Sequence, residues 1–131
     1  MASIRKQVSI HAPLPHVWDA LRDVGALHVR LCPGFVTNVE MDGSVRVVTF
    51  GNGMVAREPI IDVDDVEHRV AWTTEGGLAK HYNASAQVFA EGDDCRFVWI
   101  ADLLPHELAP TVAGMMDQGL RVIKQTLEKR E

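Results

Sequence analysis

Residues 95–129 read CRFVWIADLLPHELAPTVAGMMDQGLRVIKQTLEK, and a change of period inside this stretch decides the fold. In its first part Phe97, Trp99, Ala101 and Leu103 fall on alternate positions and so share one face of a strand, Cys95 to Leu104. From Glu107 to Lys129 the spacing turns helical, with Val112, Met116, Gly119, Leu120, Ile123 and Leu127 on one apolar stripe. Pro110 falls within the first turn or two, where a missing N–H costs little. A long amphipathic helix must bury its stripe, and the large surface open to it is the concave face of a sheet built from the preceding residues.

Those preceding residues supply the sheet. Apolar-rich runs are divided by the turn signals Asp42-Gly43, Asn52-Gly53, Asp64-Asp65, Gly76-Gly77 and Gly92-Asp93-Asp94. Short turns between consecutive runs mean hairpins, so neighbouring strands are antiparallel. The strands expected are Phe35 to Met41, Val45 to Phe50, Met54 to Val63, Arg69 to Glu75, Lys80 to Ala90 and Cys95 to Leu104, with a first strand at Ile4 to Ile10. Pro59 removes a ladder donor from the fourth of these seven and belongs at an edge or a bulge. Between the first two strands, Leu14 to Asp23 reads as a short helix with Pro15 in its first turn and Val17, Trp18 and Leu21 on one face. A second short helical piece, Ala26 to Leu31, stops at Pro33-Gly34. The reading is an α+β chain in which a seven-stranded curved antiparallel sheet folds around a long C-terminal helix, one domain over residues 1–131.

Composition narrows the class. Apolar residues make up 47% and charged residues 24% of the chain, the balance of a packed domain rather than a disordered tail. A net charge of −5 disfavours nucleic acid and anionic membrane surfaces as partners. The opening MASIRKQVSI holds no signal-peptide core, no run is long enough for a membrane span, and a cytoplasmic protein is expected. Cys32 and Cys95 stand alone, and the six histidines lack the pairing that puts two imidazoles on one face. Neither a metal nor a cofactor is therefore expected. A spatial cluster of His28, Glu58 and His81 is the weakest of the alternatives. Nucleophile-elbow, phosphate-loop and dinucleotide motifs are missing from the sequence.

The order strand, two short helices, six-stranded meander, long helix resembles the START and Bet v 1 superfamily, in particular its polyketide-cyclase-like branch. The segment Ile10-His11-Ala12-Pro13-Leu14-Pro15-His16-Val17-Trp18, with Leu21 and Asp23, is similar to that family's opening "I-x-A-P-x-x-x-V-W…L-x-D". Gly43 to Arg46 followed by Glu58, Asp64 and Asp65 is similar to its "G-x-x-R…E…D" stretch, and Cys95 to Trp99 with Pro105 to its "x-V-x-W…P" strand. More distantly, the order Glu58, Asp64-Asp65, Gly76-Gly77, Tyr82, Ser85 resembles plant abscisic-acid receptors. The lysine that anchors a ligand carboxylate in those receptors is replaced here, near Pro33, so an acidic ligand is not implied. The resemblance implies a helix-grip fold with a cavity between sheet and helix. Its members include lipid and hormone binders, cyclases, hydratase-like enzymes and protein partners, so fold alone does not select a function.

On that architecture the expected cavity wall is Val48, Phe50, Ala56, Glu58, Tyr82, Ala84, Trp99, Met116 and Leu120, holding a small apolar or aromatic molecule. Trp18 reads as core, whereas Trp99 is divided between packing and ligand contact. Glu58 shares the parity of Met54, Ala56 and Ile60, so its carboxylate enters an apolar space or pairs with Arg46 on the neighbouring strand. Arg46 is also a candidate for an anionic ligand group, although a charged strand residue is more often at the rim in a salt bridge, and Tyr82 offers a ring with one hydroxyl. Two other functions stay open: a cyclase or dehydratase using Glu58 or His81 as acid or base, and an interaction module without ligand. A second copy of the chain is a further candidate partner.

Overall fold

The computed structural model describes residues 2–129; Met1, Arg130 and Glu131, the ends of the expected span, lie outside the described residues. The elements are β1 (Ala2–Ile10), α1 (Leu14–Arg22), a π-helical turn (Leu27–Leu31), β2 (Val36–Asp42), β3 (Val45–Phe50), β4 (Val55–Asp64), β5 (Arg69–Thr73), β6 (His81–Glu91), β7 (Asp94–Leu104), a 3₁₀ turn (His106–Leu108) and α2 (Ala109–Glu128). All pairings are antiparallel, and the seven-stranded sheet runs β1-β7-β6-β5-β4-β3-β2. This is the expected helix-grip architecture. Strand ends differ from expectation by one or two residues. The two helical differences are local: Leu27–Leu31 winds as π rather than α, and the helix expected from Glu107 starts with a 3₁₀ turn before Ala109.

α2 grips the sheet unevenly. Met116, Gly119, Leu120, Ile123 and Leu127 are buried, and every one lies in the second two thirds of the helix. Gly119 explains how close it comes. A Cβ there would lie 2.9 Å from Trp99 Cζ3 and 3.1 Å from Phe35 Cε2, so both rings pack onto bare helix backbone. In the sheet, Phe97, Ala101 and Leu103 of β7 and Ile10 of β1 are fully buried.

α1 seals a second stretch of the sheet with Val17, Trp18, Ala20 and Leu21. Trp18 is core, as expected, and its Nε1 donates to Asp65 Oδ1 at 3.0 Å, while Arg22 Nε donates to the same oxygen at 2.8 Å. Asp64 Oδ1 accepts from the backbone N–H groups of Val66 and Glu67, closing the β4–β5 turn. The Asp64-Asp65 pair thus shapes a turn and ties it to α1.

Pro59 sits in an inner strand, at a gap in its ladder. On one side Ile60 N donates to Ser44 O toward β3, which turns the preceding nitrogen toward β5. On that side the pairing passes from an isolated Arg57–Glu75 bridge to Ile60–Trp72, with a register shift just beyond. The missing donor therefore falls where no ladder bond is made.

Candidate ligand-binding cleft

Two spaces lie between α2 and the sheet. The outer one is an open cleft of about 740 Å3, bounded by the β3–β4 hairpin (Phe50, Asn52, Met54, Ala56), the β5–β6 loop (Thr74, Leu78, Ala79) and the first turns of α2 with Leu108, Val112 and Met115. The inner one is a pocket of about 70 Å3 among Leu27, Leu31, Cys32, Trp72, Phe97, Trp99 and Ile123. Phe35, Phe50, Glu58, Tyr82 and Met115 border both.

The polar centre is a cross-strand pair. Arg46 on β3 lies opposite Glu58 on β4, both turned inward. Arg46 Nη2 and Nε reach Glu58 Oε1 at 2.8 and 3.0 Å, with Arg46 3% and Glu58 7% exposed. The guanidinium also lies over the Trp72 ring at 5.3 Å and donates from Nη1 to Val24 O at 3.4 Å. Every bond to the carboxylate falls on Oε1. Among the described residues Oε2 has no hydrogen-bond partner and is not enclosed, on a side chain that borders both spaces. Burial raises the Glu58 carboxyl above its ordinary value, with the Arg46 charge and hydrogen bonds acting in the opposite sense.

Tyr82 adds a second free group. Its backbone carbonyl is held by Thr73 Oγ1 at 2.6 Å and Thr74 N at 3.4 Å, which fixes where the ring enters the cleft. Its hydroxyl has no partner among the described residues and, like Oε2, is not enclosed. Burial raises the phenol's pKa, and the Glu58 charge adds to the effect. Cys32 beside the inner pocket is pushed up to about 12 by burial and stays a neutral thiol. Trp99 Nε1 is enclosed and has no hydrogen-bond partner among the described residues.

The expected wall is partly assembled. Phe50, Glu58 and Tyr82 border both spaces, Ala56 the outer cleft, and Arg46 and Trp99 the inner pocket. Val48, Ala84, Met116 and Leu120 border neither and are buried in the packed core. For the helix the error is one residue: Met115, about 100° round from Met116, is the methionine that faces the spaces. Phe35 and Trp72 went unforeseen as lining residues. Trp72 was within reach, since it shares strand parity with the buried Val70 and lies opposite Ala84. Phe35 follows a Pro-Gly turn, where parity gives no direction.

The histidine cluster does not form. His81 is exposed and bonded through Nε2 to Asn83 Oδ1 at 2.6 Å, on the opposite face of β6 from Tyr82. Among the described residues no three His, Cys, Asp or Glu side chains converge in a way that would hold a metal ion. No helix among them is long and apolar enough to cross a membrane.

The family model for polyketide cyclase/dehydrase and lipid transport matches residues 1–128. The chain belongs to this family. Among curated proteins none is significantly similar in sequence. Solved structures extend the likeness of fold. An uncharacterized Bacillus thuringiensis protein is 16% identical with a TM-score of 0.86, covering 98% of this chain and 100% of its own. A Mycobacterium smegmatis START superfamily protein is 13% identical with a TM-score of 0.74 over 96% and 94% of the two chains. A Thalictrum flavum norcoclaurine synthase point mutant, solved with a transition-state analogue, is 19% identical with a TM-score of 0.70 over 96% and 93%. At such identities these likenesses speak for the fold alone, the helix-grip fold that the motifs implied.

Proposed function

We propose that this member of the polyketide cyclase/dehydrase and lipid transport family binds a small, mostly apolar or aromatic molecule bearing a hydroxyl or similar donor. One observation carries the reading: beside an apolar cleft, Glu58 Oε2 and the Tyr82 hydroxyl both stand without hydrogen-bond partners among the described residues and are not enclosed. A polar group left unmatched in a largely apolar setting costs free energy that a ligand group can recover. Burial of apolar ligand surface supplies the rest of the affinity, roughly 25 cal/mol per Å2 before association costs. Arg46 holds Glu58 in place rather than meeting the ligand's charge, since its bonds go to Glu58 and Val24.

The test is an NMR titration of isotope-labelled protein with 2-naphthol. Amides of the β3–β4 hairpin, the 75–80 loop and residues 108–118 should shift. No shift at millimolar probe overturns the reading and favours an interaction module.

A second reading, acid–base catalysis of the cyclase or dehydrase kind, is favoured by the place of Glu58 beside both spaces, with its carboxyl raised above its ordinary value by burial. His81 has no part in it, being exposed and bonded to Asn83. Turnover of a carbonyl substrate by the parent protein and its loss in Glu58→Gln would select this reading over simple binding.

A further inference from the structure

We infer that Met115 sets the size of ligand this protein accepts, acting as a movable partition between the outer cleft and the inner pocket. The inference rests on the binding reading above. Five residues border both spaces, and four of them are held. Phe35 packs edge to face on Phe50, ring centres 5.7 Å apart, and its other side lies against the bare backbone of Gly119. Glu58 is bonded to Arg46, and Tyr82 carries a rigid flat ring on only two side-chain torsions. Met115 has no such anchor. It is half-buried, lies just before the point where α2 becomes buried at Met116, and carries an unbranched side chain with three rotatable bonds.

Size gives the partition its consequence. The inner pocket, about 70 Å3, is smaller than the roughly 150 Å3 that accommodates a single benzene ring. A ring therefore enters it only when the partition moves aside, and the resting position of Met115 confines ligands to the outer cleft. The pocket behind is lined mainly by apolar side chains, so it favours the extra ring of a fused aromatic over water once opened. The ligand class this fits is a planar phenol-like molecule whose second ring reaches past Met115.

Calorimetric titration of phenol and of 2-naphthol against four proteins tests this: the parent, Met115→Ala, Met115→Trp and Met116→Ala. Truncating Met115 should raise the 2-naphthol over phenol affinity ratio by about tenfold, and Met115→Trp should lower it below the parent's. Met116→Ala, in the closed core, should lower the melting temperature and leave the ratio within about twofold. A ratio unchanged in both Met115 variants, with the parent binding the probes, overturns the role of Met115 alone. A ratio moved equally by Met116→Ala overturns it too, because general loosening then explains the change. Failure of the parent and all variants to bind either probe overturns the binding reading and this inference together.

Discussion

The two ends of α2 face the same sheet and do different things. From Met116 to Leu127 the helix is pressed onto β7 and β1, with Gly119 letting Trp99 and Phe35 touch its backbone. From Ala109 to Met115 none of its residues is buried, and Thr111, Val112 and Met115 border the cleft, which the exposed Met54 and Leu78 rim. One amphipathic helix thus closes one end of the grip and leaves the other open. The lesson is that an apolar stripe reports that a helix has an inner face, but not how far the sheet follows it.

The largest effect should separate the two ends directly. Leu120→Asp places an unpaired charge in the closed end and should abolish cooperative unfolding, whereas Val112→Asp, over the cleft, should cost a few degrees of melting temperature at most. Equal losses in the two variants would erase the distinction. Next comes the pair at the floor. Arg46→Met leaves Glu58 buried without its partner and should cost about 3–5 kcal/mol in denaturant unfolding. Gly119→Ala follows, since the new methyl must push Trp99 or Phe35, at about 1–3 kcal/mol. A thermally neutral Gly119→Ala would show that the helix does not approach the rings this closely.

The smallest effect is at the surface. Asp65 is held below its ordinary 3.8 by the hydrogen bond from Arg22, then by that from Trp18. Its contribution is present above that ordinary value and is lost as pH falls through the lower folded value. Asp65→Asn should therefore lower the melting temperature slightly at neutral pH, and the gap from the parent should close in strong acid.

Much of the fold was legible because its signals are local. Hairpin glycines at 43, 53, 76, 77 and 92 take positive φ, and a strand's parity follows from its neighbours. Parity turned Glu58 inward, whereas Arg46 read as a rim residue in a salt bridge; the structure pairs the two and buries Arg46, because its charge is met by Glu58 inside the sheet. What stayed illegible depends on three-dimensional fit. Met115 and Met116 are equally apolar, and only the tilt of α2 on the sheet decides which is core and which is wall. Val48 and Ala84 have the right parity, yet they lie under packed neighbours, a depth that no periodicity encodes. The start of α2 was blurred for a similar reason, because Pro105 and Pro110 bracket a 3₁₀ turn that continues smoothly into the helix.

The central claim is that the Glu58 carboxylate has two employments, Oε1 bonded to Arg46 and Oε2, without a hydrogen-bond partner among the described residues, left to a ligand. Calorimetry of 2-naphthol against the parent, Glu58→Gln and Tyr82→Phe, across pH, tests it most directly. Glutamine keeps the shape and an acceptor for Arg46, so the fold should persist while affinity falls by about 1.5–3 kcal/mol for a lost charged hydrogen bond. Tyr82→Phe should lose about 0.5–1.5 kcal/mol. Because burial raises the Glu58 carboxyl, the parent's affinity for the hydroxyl donor should climb with pH above the ordinary glutamate range of about 4.3, and the Gln variant's should stay flat. Binding that is equally strong in Glu58→Gln and insensitive to pH in both proteins would contradict the account, leaving Glu58 as a structural partner of Arg46.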